Sequence, residues 1–159
     1  MKGIRSKFLI LLVAMGMALP VSAAEIDTRV LQQLNDIGMA YQIDGDNDFA
    51  IVIEFDDGRS QMLFVRSKVY SSRGMGMRDV WSHAFVPGEG GVIPAALQTR
   101  LLEENFNAVM GGWVRSEDRI AYMAKIPEDA PAEVLRAAIL EVAELADELE
   151  KELHGSDEL

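Results

Sequence analysis

Three aspartates spaced two residues apart, Asp44, Asp46 and Asp48, are the first residues in this chain that suggest chemistry, because calcium loops of the EF-hand type begin this way. With Asp44 at loop position 1, however, Phe49 takes position 6, where the loop needs glycine, and Phe55 takes position 12, where it needs glutamate. Asp, Asn and Gly also tolerate the positive φ angles of tight turns. We therefore interpret Asp44 to Asp48 as a turn between two strands and do not expect calcium there.

A second group of candidate ligands lies in the segment "RGMGMRDVWSHAF". Met75, Met77 and His83 supply thioether and imidazole ligands that suit Cu(I). With Trp81, they resemble the ligand set of small periplasmic copper and silver chaperones. An extended strand would place Met75 about 26 Å from His83, so only a sharp bend, for which Gly76 is the candidate, or another strand could bring them together. The alternative is a straight strand whose odd-numbered residues, from Met77 onward, face the core.

Residues for enzyme catalysis are few. The chain has two histidines, His83 and His154, and no cysteine, which excludes a Cys–His pair. Ser82 would point to the opposite face of a strand from His83, so the two cannot form a local pair. The glycine-rich "PGEGG" lacks the GK[ST] ending of a phosphate-binding loop. We therefore predict a protein without catalytic residues, cofactor or metal site.

The elements that must position these side chains are predicted from hydrophobic spacing and turn residues. Helices are predicted over 28–36, from Pro94 onward, and from about Pro131 to His154. Strands are predicted over 39–43, 49–55, 61–68, 75–86, 109–115 and 119–125. Because hairpins dominate and no strand-helix-strand unit recurs, we expect an α+β fold. Its antiparallel sheet would carry helices on one face, in the order α-β-β-β-β-α-β-β-α.

The same spacing predicts which side chains form the core. The strand over 49–55 has apolar residues on both faces, so we expect it at the centre of the sheet. The second helix is expected to turn four residues inward: Leu97, Leu101, Leu102 and Phe106. The last helix carries a heptad stripe, which we expect to pack on the domain's own sheet rather than in a coiled coil: Leu135, Ala138, Val142, Leu145 and Leu149.

The N-terminal segment has the pattern of an export signal. Three basic residues precede the apolar run 8–19, which is followed by small residues ending in Ala23 and Ala24. The run is shorter than a membrane span requires. We predict a signal peptide over 1–23, cleaved after Ala23 or Ala24, and a periplasmic or secreted protein with no membrane span after cleavage. One domain would then occupy 24–154, followed by an acidic tail over 155–159.

The charge distribution limits the partners of this protein. Its net charge is −11, so it repels phosphate backbones and nucleic acid is not an expected partner. Basic residues are concentrated in one segment: Arg59, Arg66, Lys68, Arg73 and Arg78. The last helix is strongly acidic. Complementary surfaces of this kind favour association and fix its orientation; the alternative is two solvated faces that never meet.

Several local patterns resemble those of the YbjN-domain family, which shares its fold with type III secretion chaperones of the Tir-chaperone type. They are the opening helix with Leu31, Leu34 and Gly38, "DVWSHAF", "IPAALQTRLLEENF", "GGWV", "IAYMAKIPED" and "EVAELADELEKEL". These are core and turn residues, and none is a catalytic signature. The resemblance implies a small, acidic, often dimeric protein without enzymatic activity. In the secretion chaperones, exposed apolar patches hold a partly unfolded client segment.

From these observations we expect a non-enzymatic, chaperone-like periplasmic module that binds a protein client or a second copy of itself as a homodimer. The methionines would provide an adaptable apolar surface, unless they only fill the core. The expected partner-binding residues lie in the basic segment: Arg66, Lys68, Arg73, Met75, Met77 and Arg78. The alternative is a periplasmic protein that handles Cu(I) or Ag(I) through Met75, Met77 and His83.

Overall fold

A computed structural model describes residues 25–88, 91–155 and 157 of the chain. The predicted signal peptide lies outside the described residues. Nine elements follow in the predicted order: α1 Thr28–Asp36, β1 Gln42–Ile43, β2 Phe49–Glu54, β3 Ser60–Ser72, β4 Met75–Phe85, α2 Ala95–Glu104, β5 Gly111–Ser116, β6 Arg119–Pro127 and α3 Ala132–His154. No helix within the described ranges has both the length and the apolar character needed to cross a membrane.

The six strands form one antiparallel sheet in the order β1-β2-β3-β4-β6-β5. The three helices pack on this sheet, so the predicted α+β fold is confirmed. Strands β3 and β4 occupy the centre. The prediction of a central β2 is wrong, because β1 pairs with only Phe49 and Ala50 of that strand.

The turn from Asp44 to Asp48 connects β1 to β2, as the sequence predicts. Asp44 Oδ1 accepts hydrogen bonds from the backbone N–H groups of Asp46 and Asp48, each at 2.9 Å, and Asn47 has a φ of 64°. Asp48 Oδ1 accepts a bond of 2.8 Å from the N–H of Ser67 in β3. The carboxylates of Asp44 and Asp48 therefore hold the turn and anchor it to the sheet.

The main core lies between the sheet and helices α1 and α3. Val30 and Leu34 of α1 are fully buried there with Leu135 and Ile139 of α3. The predicted stripe of α3 is confirmed, since its members are buried apart from the half-buried Leu145: Leu135, Ala138, Val142 and Leu149. Packing on the domain's own sheet thus buries most of the apolar face of this helix.

Helix α2 contributes less to the core than its sequence predicts. Leu97 and Leu101 are buried in a second cluster with Ala84 and other residues. Leu102 and Phe106, also predicted to point inward, are 70% and 91% exposed. Leu102 follows Leu101 by one residue and so lies about 100° around the helix from it. Phe106 falls beyond Glu104, where α2 ends.

Strand β4 faces the helices with its even-numbered residues. Val80, Ser82 and Ala84 are fully buried, whereas Met77 and Trp81 lie on the other side of the sheet. The predicted inward direction of the odd-numbered residues is therefore wrong over most of the strand. An irregularity just after His83 shifts the register at the end of β4. There, Phe85 packs in the second core cluster.

A buried arginine explains this reversal. Arg78 lies on the helix side of β4, opposite a stretch of β3 that carries extra residues between Val65 and Val69. Its guanidinium donates to the carbonyls of Arg66 and Ser67, which the irregular stretch takes out of the regular ladder. The charge of Arg78, which the sequence alone would place at the surface, is thus hydrogen-bonded inside the domain.

Asp27 completes the pairing of Arg78 and begins helix α1. One carboxylate oxygen accepts from Arg78, and the other accepts from the N–H groups of Arg29 and Val30 in the first turn of the helix. Burial alone would raise the pKa of Asp27, but the hydrogen bond and charge of Arg78 outweigh it and lower that pKa. This contact ties α1 to the centre of the sheet.

The outer edge of β5 is closed by a side chain. Asn105, at the end of α2, accepts from the N–H of Trp113 at 2.6 Å and donates to its carbonyl at 3.0 Å. A Cβ atom on Gly112 would come within 2.9 Å of the Asn105 amide oxygen. Gly112 therefore gives Asn105 room to cover an edge that could otherwise pair with another strand.

Candidate functional site: the open face of the sheet

One side of the sheet carries none of the helices in the described part of the chain. Residues directly opposite each other on paired strands share a face, as Val52 does with Met62 and as Trp81 does with Phe64 and Met123. Their chain neighbours on the other side belong to the core under the helices. We call the uncovered side the open face, formed by Val52, Met62, Phe64, Tyr70, Met77, Trp81, His83 and Met123.

The centre of the open face is aromatic. The rings of Phe64 and Trp81 stack with centroids 4.8 Å apart, and His83 meets Trp81 edge-on at 4.9 Å. Val52 and Met62 beside them are 53% and 44% exposed. Contiguous apolar side chains on an uncovered sheet provide a surface that fits the apolar side chains of a partner.

Two cations bind one carboxylate on this face, and a third cation lies over the ring of Tyr70. Asp79 binds Arg66 at 3.2 Å and also binds Lys125. Lys68 lies over the ring of Tyr70 with its ammonium 5.0 Å from the centroid. The local charge is therefore positive, although the chain as a whole carries a net charge of −11.

The predicted partner-binding residues lie in different environments. Arg66, Lys68 and Met77 lie on or beside the open face, and Arg73 and Met75 lie at the turn that joins β3 to β4. Arg78, in contrast, is 2% exposed and paired inside the domain, so it is not available to a partner.

Of the most prominent residues of the open face, the sequence indicated only Met62, as one of the methionines expected to provide an apolar surface. Val52, Met62, Phe64 and Trp81 alternate with core residues along their strands, as half-buried antiparallel strands require. Both faces of these strands are apolar, so the pattern alone could not tell which face the helices cover. The cross-strand pairing settles that question.

His83 stands apart from any nucleophile. Its Nε2 accepts from Arg119 at 3.4 Å, and within the described residues no hydrogen bond joins its ring to a hydroxyl or a carboxylate. Burial lowers the pKa of His83 and the positive charge of Arg119 lowers it further, so the ring is neutral near pH 7. Ser82 is buried on the opposite face, where it donates to the carbonyl of Met62 at 2.5 Å.

The predicted copper ligands are not brought together. Strand β4 runs without a break from Met75 to Phe85, and Gly76 pairs regularly with Ser71 instead of bending the chain. Eight residues of strand separate Met75 from His83, which corresponds to about 26 Å. No observation on the described residues favours the copper-handling alternative.

One group of carboxylates has the spacing of a cation site. Ligand atoms of Asp147, Glu150 and Asp157 lie within 4.8 Å of one another. The guanidinium of Arg59, however, binds Asp147 at 2.6 Å and Glu150 at 3.5 Å. The chain itself therefore supplies the positive charge at this position. Arg59 of the basic segment thus meets the acidic helix α3 within one molecule.

A scan against protein-family models finds no match to this chain, and a search of curated proteins finds no similar sequence. The likeness to the YbjN-domain family therefore depends on its local motifs alone. The function must be argued from the geometry of the open face.

Proposed function

We propose that this protein is a non-enzymatic, periplasmic protein-binding module, chaperone-like in holding a partner segment, and that it binds through the open face. One observation carries this proposal: Phe64 and Trp81 form a stacked pair on a sheet face that none of the described helices covers, with Val52 and Met62 partly exposed beside them. The periplasmic location follows from the predicted export signal.

The charges around the open face define the class of partner. Arg66, Lys68 and Lys125 favour carboxylates, and Asp79, which pairs with Arg66 and Lys125, balances only part of that charge. A partner segment with apolar side chains flanked by Asp or Glu matches both properties. Methionines adapt to differently shaped side chains, which suits a module that accepts more than one sequence.

A second copy of the chain fits this face less well than an acidic partner does. Two open faces placed together would bring the cations Arg66, Lys68 and Lys125 of one molecule against the same cations of the other, and like charges oppose association. We therefore assign the face to a different protein. The likeness to the YbjN-domain family, whose relatives include client-binding chaperones, agrees with this proposal. Membership of that family is itself part of what we propose.

The test uses the protein's own tryptophans. The chain has two, and a Trp113→Phe variant leaves Trp81 as the reporter on the open face. The probe is a short peptide of alternating leucine and glutamate, and its binding is measured at several salt concentrations. We expect a saturable change in Trp81 emission, weaker with a peptide in which lysine replaces glutamate.

A Val52→Ser/Met62→Ser variant should weaken binding of the leucine–glutamate peptide by about tenfold, because burying the exposed parts of these two side chains contributes about 1.4 kcal/mol in total. Val92→Ser is the matched control, since Val92 is exposed outside the open face. Crosslinking from an envelope extract then identifies natural partners. The proposal fails if Trp81 emission does not change, or if open-face and control variants capture the same proteins equally.

A further inference from the structure

A groove lies on the helix side of the sheet, between α3 and the segment that joins α2 to β5. Its volume is about 610 Å³. Trp113 and Tyr122 line it, with their rings edge-on and their centroids 5.0 Å apart. Leu145 and Leu149 of α3 add apolar lining. The groove therefore presents aromatic and aliphatic surface, and it is separate from the open face, which lies on the other side of the sheet.

Carboxylates dominate the charge of this groove. The acidic lining residues are Glu104, Glu141, Glu144, Glu148 and Glu152, and the one cation in the lining is Arg100. Arg100 binds Glu104 at 3.4 Å and Glu152 at 2.5 Å. Glu144 and Glu148 are exposed and form no ion pair within the described residues. The groove thus carries an uncompensated negative charge.

The polar atoms of the aromatic residues are already bound. Trp113 Nε1 donates to Glu104 at 3.0 Å, and the hydroxyl of Tyr122 donates to Glu141 at 3.2 Å. Burial, together with the charge and hydrogen bond of Glu141, raises the pKa of Tyr122 to about 12, so its hydroxyl keeps its proton. Both rings are therefore held in place and offer π surface rather than polar groups.

Exposed apolar side chains stand beside the groove. Val109 lines it and is 91% exposed, as is Phe106 three residues earlier. Neither belongs to either core cluster. This apolar segment is an observation independent of the carboxylates, and it indicates that an occupant would bring apolar groups as well as positive charge.

The spacing of the carboxylates indicates whether the groove would hold a metal ion or a peptide chain. Glu141, Glu144, Glu148 and Glu152 succeed one another at three- and four-residue steps along α3. At 1.5 Å per residue the row extends over about 16 Å, far more than one ion can bridge. An extended peptide covers that length with about five residues. A linear, multiply charged occupant therefore matches the row.

We propose that this groove binds a basic peptide segment of a partner protein, with lysine or arginine side chains alternating with apolar ones. The aliphatic stem of a basic residue would lie on Trp113 and Leu145, with its charge at Glu144 and Glu148. The apolar residues of the segment would contact Phe106 and Val109. This site does not depend on the open face, whose charge is of the opposite sign.

The experiment uses the other tryptophan as reporter. In a Trp81→Phe variant, Trp113 alone reports binding in the groove. The probe is a short peptide of alternating lysine and leucine, and the comparison peptide has glutamate in place of lysine. We expect a saturable change of Trp113 emission with the lysine peptide. Binding should weaken as salt rises toward about 0.15 M, because the ion pairs are partly exposed to solvent.

Charge variants separate the groove from general attraction between opposite charges. In the reporter background, Glu144→Gln/Glu148→Gln should weaken binding about fivefold, as expected for two partly exposed ion pairs. Glu103→Gln/Glu133→Gln changes the net charge equally at exposed positions outside the groove and should leave binding nearly unchanged. An unchanged Trp113 signal, or equal weakening in both variants, would overturn the proposal. Neither result affects the open-face test, which uses Trp81 and an acidic peptide.

Discussion

The two faces of the sheet contain similar side chains and hold them differently. Each face has a tryptophan, a tyrosine and an arginine: Trp113, Tyr122 and Arg78 under the helices, and Trp81, Tyr70 and Arg66 on the open face. Under the helices, each of these residues has a fixed hydrogen-bond partner. On the open face, Arg66 donates partly exposed hydrogen bonds to Tyr70 and Asp79, and Trp81 is held by ring stacking and by the cation of Arg66.

This difference follows from access to water. A polar group beneath a helix loses its hydration. Only a hydrogen bond to a protein partner offsets the free-energy cost of that loss. Arg66 and Tyr70 on the open face keep part of their hydration, so partly exposed hydrogen bonds and cation–π contacts suffice to orient them. We infer that the covered face determines stability, while the open face is free to contribute to binding.

The largest expected effect is the loss of Arg78. Arg78→Ala leaves the carboxylate of Asp27 and the carbonyls of Arg66 and Ser67 without their partner, and should lower the free energy of unfolding by about 3–5 kcal/mol. Arg66→Ala, on the open face, should cost less than about 1 kcal/mol, because the salt bridge of Arg66 with Asp79 is partly exposed. Urea unfolding measures both. Equal losses would contradict the division between the faces.

The second effect concerns the edge of the sheet, where both faces end. Asn105→Ala removes both hydrogen bonds to the backbone of Trp113 and should cost about 1–3 kcal/mol. It also uncovers an edge strand, so self-association should increase with concentration. Asn107→Ala is the matched control, because Asn107 is exposed two residues away. Light scattering follows self-association, and a variant as monomeric and stable as the control would refute this role of Asn105.

Local patterns explain why much of the fold was predictable from sequence. The turn at Asp44 to Asp48, the end of α1 at Gly38 and the stripe of α3 depend on residues close in the chain, and the structure has all three. The order of helices and strands followed from the same signals. Short-range chemistry fixes such features almost independently of the rest of the domain.

The candidate site was predicted less well because it depends on distant pairing. Arg78 is inside the domain because an irregularity in β3 and the carboxylate of Asp27 lie opposite it. Asp27 is 51 residues away from Arg78 in the chain. That reversal places Trp81 on the open face rather than in the core. Leu102 and Phe106 failed as core predictions for a related reason, since only packing decides how wide a stripe α2 buries.

The third effect is smaller and depends on pH. The pKa of His83 is lowered in the folded state by burial and by Arg119, so the unfolded chain binds a proton more readily than the folded one. The contribution of His83 to stability is therefore present above about pH 6.5 and is lost as the pH falls through the folded-state pKa. His83→Gln should remove this part of the pH dependence, whereas His154→Gln should retain it. Urea unfolding between about pH 7 and pH 5 distinguishes the two variants.

The smallest expected change in stability is also the most direct test of the comparison. Val52→Ser/Met62→Ser removes apolar groups that are about half exposed, so the free energy of unfolding should change by only about 1 kcal/mol or less. The same variant should nevertheless lose most of its affinity for the leucine–glutamate peptide. Such a separation requires side chains that contribute little to folding and much to binding. A loss of several kcal/mol would mean that the open face stabilises the fold as the covered face does, and stability alone would then explain its aromatic residues.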